Sequence, residues 1–114
     1  MADCLFCKII AKEIPSNIVY EDERCLAFRD IEPQAPVHVL IIPKEHIASA
    51  LQLNEGNADI VAHIFIVAAH IARQEGIADG GFRLVNNCGV DGGQTVGHLH
   101  FHLLGGRNLG WPPG

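Results

Sequence analysis

The chain has 114 residues, of which 48% are apolar, so it is long enough to bury a core and its composition argues against intrinsic disorder. Acidic residues outnumber basic ones by 13 to 8, and without a basic run this disfavours polymeric nucleic acid as a partner. No apolar stretch reaches the ~18–20 residues of a membrane span, and the first residues do not resemble a secretion signal. We therefore expect one domain over residues 1–114, located in the cytoplasm and without a membrane partner.

The N-terminal half predicts one short helix and three strands. Apolar residues within 4–11 favour a short helix or turn that ends by Pro15. Two β-prone runs, 17–21 and 25–29, are separated by charged residues and predict a hairpin. A third strand is predicted over 37–42, where β-branched residues lie between two prolines.

The C-terminal half predicts one long helix and two further strands. Apolar residues recur at helical spacing over 57–75, and Gly76 is placed to end the helix. The apolar face of this helix is broader than one-sided burial requires, which indicates a second contact surface and a homodimer. Strands are predicted over 81–86 and 98–104, with a glycine-rich loop at 87–97. With few βαβ units, this order favours an α+β fold with a mainly antiparallel five-stranded sheet.

The most informative segment is HLHFHLL at 98–104. Because alternate side chains of a strand point to opposite faces, His98, His100 and His102 should share one face, with the apolar residues between them buried on the other. Such a row suits zinc ligation, acid–base catalysis, or attack on phosphorus by a neutral imidazole nitrogen. His38, on the third predicted strand, could contact His98 or a phosphate, or have a structural role.

The loop before the histidine row supplies a second indication. Its glycines, Gly93 among them, allow backbone N–H groups to approach an anion, while Gln94 and Thr95 add side-chain donors. A glycine-rich loop alone is equally typical of a plain turn. Next to three histidines it favours a phosphate-binding site.

Cys4 and Cys7 form a C-x-x-C motif, which in a reducing compartment indicates metal or redox chemistry. As half of a zinc site, the motif needs two more ligands, for which His46 and His98 are candidates. A packed pair of reduced thiols and a redox dithiol are the alternatives. All three interpretations stay open at this point.

Together with its flanking segments, the chain resembles the histidine triad family, whose signature is His-φ-His-φ-His-φ-φ with φ apolar, and especially the nucleotide-binding branch of that family. The likeness covers nearly the whole chain but departs at Gly97, where relatives often have a bulky residue. It implies an α+β homodimer in which two sheets join into a larger one. The segments that carry it are the triad and residues 30–31, 34–36, 42–44, 91–94 and 111–114.

The resemblance also implies a hydrolase or transferase that cleaves the P–N bond of purine nucleoside phosphoramidates. In such an enzyme His100 would attack the α-phosphorus and form a covalent nucleotidyl-histidine that water then hydrolyses, with no metal required for the chemistry. The other catalytic and substrate-binding residues implied are His98, His102, Asp30, Ile31, Asn87, Gly93, Gln94 and Thr95, with Phe6, Ile9 and Phe28 beside the base.

Some bacterial-type members of the family bind zinc through positions that match Cys4, Cys7, His46 and His98, which implies a structural zinc. Two functions of other classes compete with the enzyme. One is a nucleotide-binding regulatory or scaffold module with negligible turnover, and the other is a zinc-dependent interaction module that uses the triad as ligands. Trapping of a nucleotidyl-protein distinguishes the enzyme from the first, and nucleotide binding by metal-free protein would count against the second.

Overall fold

A computed structural model describes residues 3–114 of the chain. Two helices and five strands follow in the predicted order. A short 3-10 turn between the third strand and the second helix has no counterpart among the predicted elements. The helices are α1 (Leu5–Ile10) and α2 (Asp59–Gln74), the strands are β1 (Ile18–Glu21), β2 (Cys25–Arg29), β3 (Val37–Pro43), β4 (Phe82–Val85) and β5 (Phe101–Gly105), and the 3-10 turn is Ala50–Gln52.

The five strands form one sheet in the order β1-β2-β3-β5-β4, and every neighbouring pair is antiparallel. The predicted α+β fold with an antiparallel five-stranded sheet is therefore confirmed. Strand β3 lies at the centre, where Leu40 pairs with Phe28 of β2 on one side and with His102 of β5 on the other. The last strand thus brings the end of the histidine row to the middle of the sheet.

Helix α2 forms where apolar residues recur at helical spacing, and it packs on one face of the sheet. It ends two residues before Gly76, whose φ of +75° is the left-handed conformation that commonly follows a helix. Within residues 3–114, no helix is both long and apolar enough to cross a membrane. The buried side chains of α2 are Ile60, Ile64, Val67, Ala68, Ile71 and Ala72.

The sheet separates two hydrophobic clusters. Leu99, Phe101 and Leu103 belong to the cluster under α2, as their alternation predicts. We call the opposite side the α1 face, because α1 packs there, and its cluster consists of Phe6, Ile9, Leu26, Phe28, Leu40 and Ile42. The imidazoles of the triad lie on the α1 face, where His98 and His100 both contact the ring of Phe6.

The predicted strand 98–104 is wrong at its start, because β5 begins only at Phe101. The next pairing positions on β3 run into Pro43, which ends that strand and has no N–H to donate. The N–H of Leu99 instead donates to the carbonyl of Ile47, beyond the end of β3, at 2.6 Å. Residues 98–100 therefore approach the sheet in an irregular conformation.

Candidate functional site

A cleft of about 640 Å³ opens on the α1 face between α1, the end of β2 and the segment that leads into β5. One part of its wall is apolar and the other carries a few polar groups, a combination typical of small-molecule sites. The apolar lining includes Phe6, Ile9, Phe28, Ile31 and Leu40, and the polar lining includes Asp30, Thr95, His100 and His102.

His100 is buried in the wall of this cleft, with the ring of Phe6 packed edge-on against its imidazole at 5.1 Å between centroids. Its Nδ1 lies 2.7 Å from the backbone carbonyl oxygen of His98. Because a carbonyl only accepts, Nδ1 must carry the hydrogen, and in the neutral ring Nε2 keeps its lone pair. The structure therefore supplies an imidazole in the tautomer that a nucleophile needs.

His102 is oriented by a chain of hydrogen bonds that starts in the backbone. The N–H of Gln34 donates to Nδ1 of His38 at 3.0 Å, so the hydrogen of neutral His38 is on Nε2. That Nε2–H donates to Nδ1 of His102 at 2.9 Å and lies 3.4 Å from Oδ2 of Asp30. His102 in turn carries its own hydrogen on Nε2, which makes it an N–H donor among the residues that line the cleft.

Burial favours the neutral form of the His38 and His102 imidazoles. Desolvation, assisted by the neighbouring His100 and His38, lowers the pKa of His102 to about 4. Burial also lowers the pKa of His38, against a smaller opposing effect of the Asp30 carboxylate. Both rings are therefore neutral near pH 7, which fixes the direction of the two hydrogen bonds that link Gln34, His38 and His102.

Beside the cleft, Cys4, Cys7, His46 and His98 bring four ligand atoms within 4.8 Å of one another. Nδ1 of His98 lies 3.3 Å and 3.6 Å from the two sulfurs, and Nδ1 of His46 lies 3.3 Å from Sγ of Cys7 and 3.2 Å from Nδ1 of His98. For Zn–N of about 2.0–2.1 Å and Zn–S of about 2.3 Å, the edges of a tetrahedron are about 3.3 Å between nitrogens and about 3.6 Å between nitrogen and sulfur. The four atoms are therefore suited to one tetrahedral Zn²⁺, as the family resemblance implies.

The surroundings of the cluster support metal ligation over a redox dithiol. Nε2–H of His98 donates to the carbonyl of Pro43 at 2.8 Å, which leaves the Nδ1 lone pair directed at the other ligands. Without metal, burial and the neighbouring Cys4 raise the pKa of Cys7, whereas a reactive dithiol needs a lowered one. A bound zinc would itself supply the positive charge that favours the thiolate. The donor set thus fits zinc in its chemistry as well as in its distances.

Comparison with known protein families assigns the chain to a family. The model of the HIT domain matches residues 11–109. The chain belongs to the HIT family. It is 55% identical over 112 residues to an uncharacterized HIT-like protein of Synechococcus elongatus, a match that covers 98% of this chain and 97% of the relative. It is also 51% identical to a 14 kDa zinc-binding protein of Brassica juncea, with 98% and 100% covered.

A solved structure gives the same result for the fold. The crystal structure of a HIT family hydrolase from Legionella pneumophila superposes with a TM-score of 0.96 at 54% identity, and the match covers 98% of this chain and 100% of that one. At this similarity the helices and the sheet described above are those of a HIT domain.

The HIT chain brings only some of its predicted substrate-binding residues to the cleft. Within the described residues 3–114, the lining includes Thr95 but not Asn87, Gly93 or Gln94. The side-chain amide of Gln94 donates to two backbone carbonyls, and its oxygen accepts from the N–H of Gly89. In this structure Gln94 therefore ties the loop together, and contact of these three residues with a phosphate remains a prediction.

Two contacts of the HIT chain go beyond what its sequence patterns predict. His38 meets His102 rather than His98, and Nδ2 of Asn86 donates to the backbone carbonyl of His100 at 2.9 Å. The first contact requires β3 to pair with β5, where Leu40, two residues after His38, pairs with His102. The second depends on the irregular segment before β5, which no periodicity describes.

Proposed function

We propose that this protein hydrolyses the P–N bond of purine nucleoside phosphoramidates through a covalent nucleotidyl-histidine on His100. The observation that carries the proposal is the hydrogen bond from Nδ1 of His100 to the carbonyl of His98, which leaves Nε2 with a lone pair beside a cleft of nucleotide size. Membership of the HIT family and the likeness to a HIT family hydrolase support a hydrolytic reaction.

In the first step, Nε2 of His100 attacks the α-phosphorus, the P–N bond breaks, and the leaving nitrogen takes up a proton from solvent, so that the amine departs. In the second, water attacks the same phosphorus and gives up a proton to solvent, the N–P bond to His100 breaks, and a nucleoside monophosphate is released. The Nε2–H of His102 is suited to donate to a phosphoryl oxygen as negative charge develops there. Splitting the displacement in two steps uses imidazole both as nucleophile and as leaving group.

The rest of the cleft suits the nucleoside. Asp30 lies on its polar side, 3.4 Å from His38, and its carboxylate can accept hydrogen bonds from the ribose hydroxyls. The rings of Phe6 and Phe28 pack edge-to-face on its apolar side, and Ile31 is 94% exposed at the rim. These residues would hold the base, while Gln94, Thr95, Gly93 and Asn87 would approach the phosphate once a substrate is bound.

We also propose that the cysteine–histidine cluster holds a structural zinc. The distances among the ligand atoms support this, as does the name of the zinc-binding relative. Bound zinc would cross-link the start of α1 to the segments before the 3-10 turn and before β5, and the reaction at His100 needs no step at the metal. We propose the cytoplasm as the compartment because the thiols that bind zinc must stay reduced.

A homodimer is proposed from one exposed surface. Helix α2 carries Phe65 and Ile66 at 51% and 69% exposure, and the edge strand β4 begins with the exposed Phe82. Two copies that pair their β4 strands would cover these side chains and join two five-stranded sheets into one. Light scattering should give twice the chain mass for the wild type and the chain mass for Ile66→Glu. A monomeric wild type would refute the dimer.

The experiment that tests the activity is single-turnover trapping. Wild-type protein in excess over adenosine phosphoramidate, quenched in acid-free denaturant, should carry a nucleotidyl group on His100, located by peptide mass spectrometry. A regulatory or scaffold module would bind adenosine monophosphate with similar affinity but show neither the adduct nor release of the amine. That result would replace the enzyme with the binding module.

A further inference from the structure

The short segment 98–100 connects the two sites described above. It lies outside the hydrogen-bonding ladder of the sheet, which begins at Phe101. Within residues 3–114, the backbone N–H contact found for this segment is that of Leu99 to the carbonyl of Ile47, the neighbour of the cluster residue His46. The position of the segment therefore depends on this bond, on the side chain of Asn86, which donates to the carbonyl of His100, and on the anchors of the His98 ring, rather than on the sheet.

His98 is the strongest of these anchors because it takes part in both sites at once. Its ring is fully buried, with Nε2–H bonded to Pro43 and Nδ1 within 3.3 Å of Sγ of Cys4. Its backbone carbonyl accepts the Nδ1–H of His100 at 2.7 Å. Because the ring and the carbonyl belong to the same residue, a shift of the backbone at position 98 that follows loss of the ring's anchors also moves the acceptor that holds the proposed nucleophile.

We propose that the cysteine–histidine cluster is a positioning device for the nucleophile: with metal bound, it fixes His98, and the carbonyl of His98 fixes the tautomer and orientation of His100. This inference rests on the proposed function of His100. Cys4, Cys7 and His46 are then positioning residues for the reaction, although none of them lies near the reacting atoms. The effect passes through one residue and requires no change in the rest of the fold.

The proposal separates catalysis from binding. Asp30, which is suited to hold the ribose, follows the end of β2 and is not one of the cluster ligands, whereas Phe6, which lies between the two cysteines, packs against both His98 and Phe28. Loss of metal should therefore lower the rate of attack by a larger factor than it lowers the affinity for adenosine monophosphate. A purely structural metal would lower both together, because the whole α1 face would loosen.

The test compares Cys7→Ser with the matched variant Cys88→Ser, which removes a thiol outside the cluster. We expect Cys7→Ser to lose zinc by elemental analysis and to show a kcat about 10–100-fold below wild type, with a smaller change in the affinity for adenosine monophosphate. Nitrogen-15 NMR of the His100 ring should show the Nδ1–H tautomer in wild type and in Cys88→Ser, and a mixture of tautomers in Cys7→Ser.

A second variant covers the case in which Cys7→Ser does not fold. Cys7→Asp keeps a weaker ligand, so zinc can be titrated into it while nucleotide affinity reports that the fold is intact. The Nδ1–H signal of His100 and kcat should rise together along this titration. Full turnover or an unchanged tautomer in the metal-free protein would overturn the positioning role while leaving the proposed function in place. Absence of turnover in wild type would refute the proposed function alone, because the tautomer still decides the positioning.

Discussion

The two ends of the histidine row have different partners although they come from one alternating sequence. At one end the ring of His98 meets two sulfurs and a second imidazole, which together form a closed set of four metal ligands. At the other end His102 meets His38 and faces a cleft with apolar walls. The partner atoms, rather than the residue type or its position in the alternating pattern, therefore decide whether an imidazole is suited to bind a metal or a substrate.

The largest effect that should separate the two ends is that of His100→Ala. This change removes the proposed nucleophile but none of the four cluster ligands, so turnover should fall by roughly 10³- to 10⁶-fold, as for other covalent nucleophiles. Zinc content and the affinity for adenosine monophosphate should both persist, as elemental analysis and calorimetry would show. Phosphoramidase activity retained by the purified variant would mean that another group attacks phosphorus.

At the metal end, a large effect on stability is expected instead. Zinc at about 1,000 times its dissociation constant should raise the free energy of unfolding by about 4 kcal/mol, because it binds the folded chain. Cys4→Ser should abolish this zinc dependence. Since Sγ of Cys4 also accepts from the N–H of Cys7 as the N-cap of α1, and serine is a good N-cap, the loss would report on metal and not on the helix end.

The control for this measurement is Cys88→Ser, whose unfolding should stay as dependent on zinc as that of wild type. Chemical denaturation with and without a chelator supplies the comparison. If Cys4→Ser and wild type respond to zinc alike, the four atoms described here do not bind the metal.

Much of the fold follows from local sequence patterns. Helix α2 and the β1–β2 hairpin lie within two residues of their predicted bounds because apolar spacing and charged turns act over short distances. The start of β5 could not be predicted in this way. It depends on Pro43, where β3 ends, and on the carbonyl of Ile47, which captures the N–H of Leu99. Both are distant in sequence from the histidine row.

The candidate site shows the same division. The shared face of the triad follows from alternation and the cysteine pair from its spacing, whereas His46 and His98 as a complete ligand set follow from the resemblance to zinc-binding family members. The structure brings these residues together. The contact of His38 with His102 requires the order β3-β5, which sequence alone does not give. The side-chain amide of Gln94 donates to the backbone carbonyls of Ala48 and Val96, and no sequence pattern predicts these contacts.

The smallest expected effect concerns the pH dependence of stability at the cleft end. In the folded chain the pKa of His102 is about 4, whereas its ordinary value is 6.5. Between these values the unfolded chain binds the proton and the folded chain does not, so stability must fall as the pH is lowered from 6.5 towards 4. The contribution of this residue reaches at most about 1.4 kcal/mol per pH unit, and it ends below the lower value.

Replacement of His102 with glutamine isolates this contribution, because His38, Asp30 and His100, which face the ring, all remain. Wild type and His102→Gln should both lose stability in acid, since the zinc ligands also take up protons, but the curve of the variant should be shallower between pH 6.5 and 4. Denaturant unfolding at several pH values gives the two curves. Parallel curves would mean that His102 is protonated as easily in the folded chain as in the unfolded one, and the hydrogen-bond chain from Gln34 would then lack the direction assigned to it.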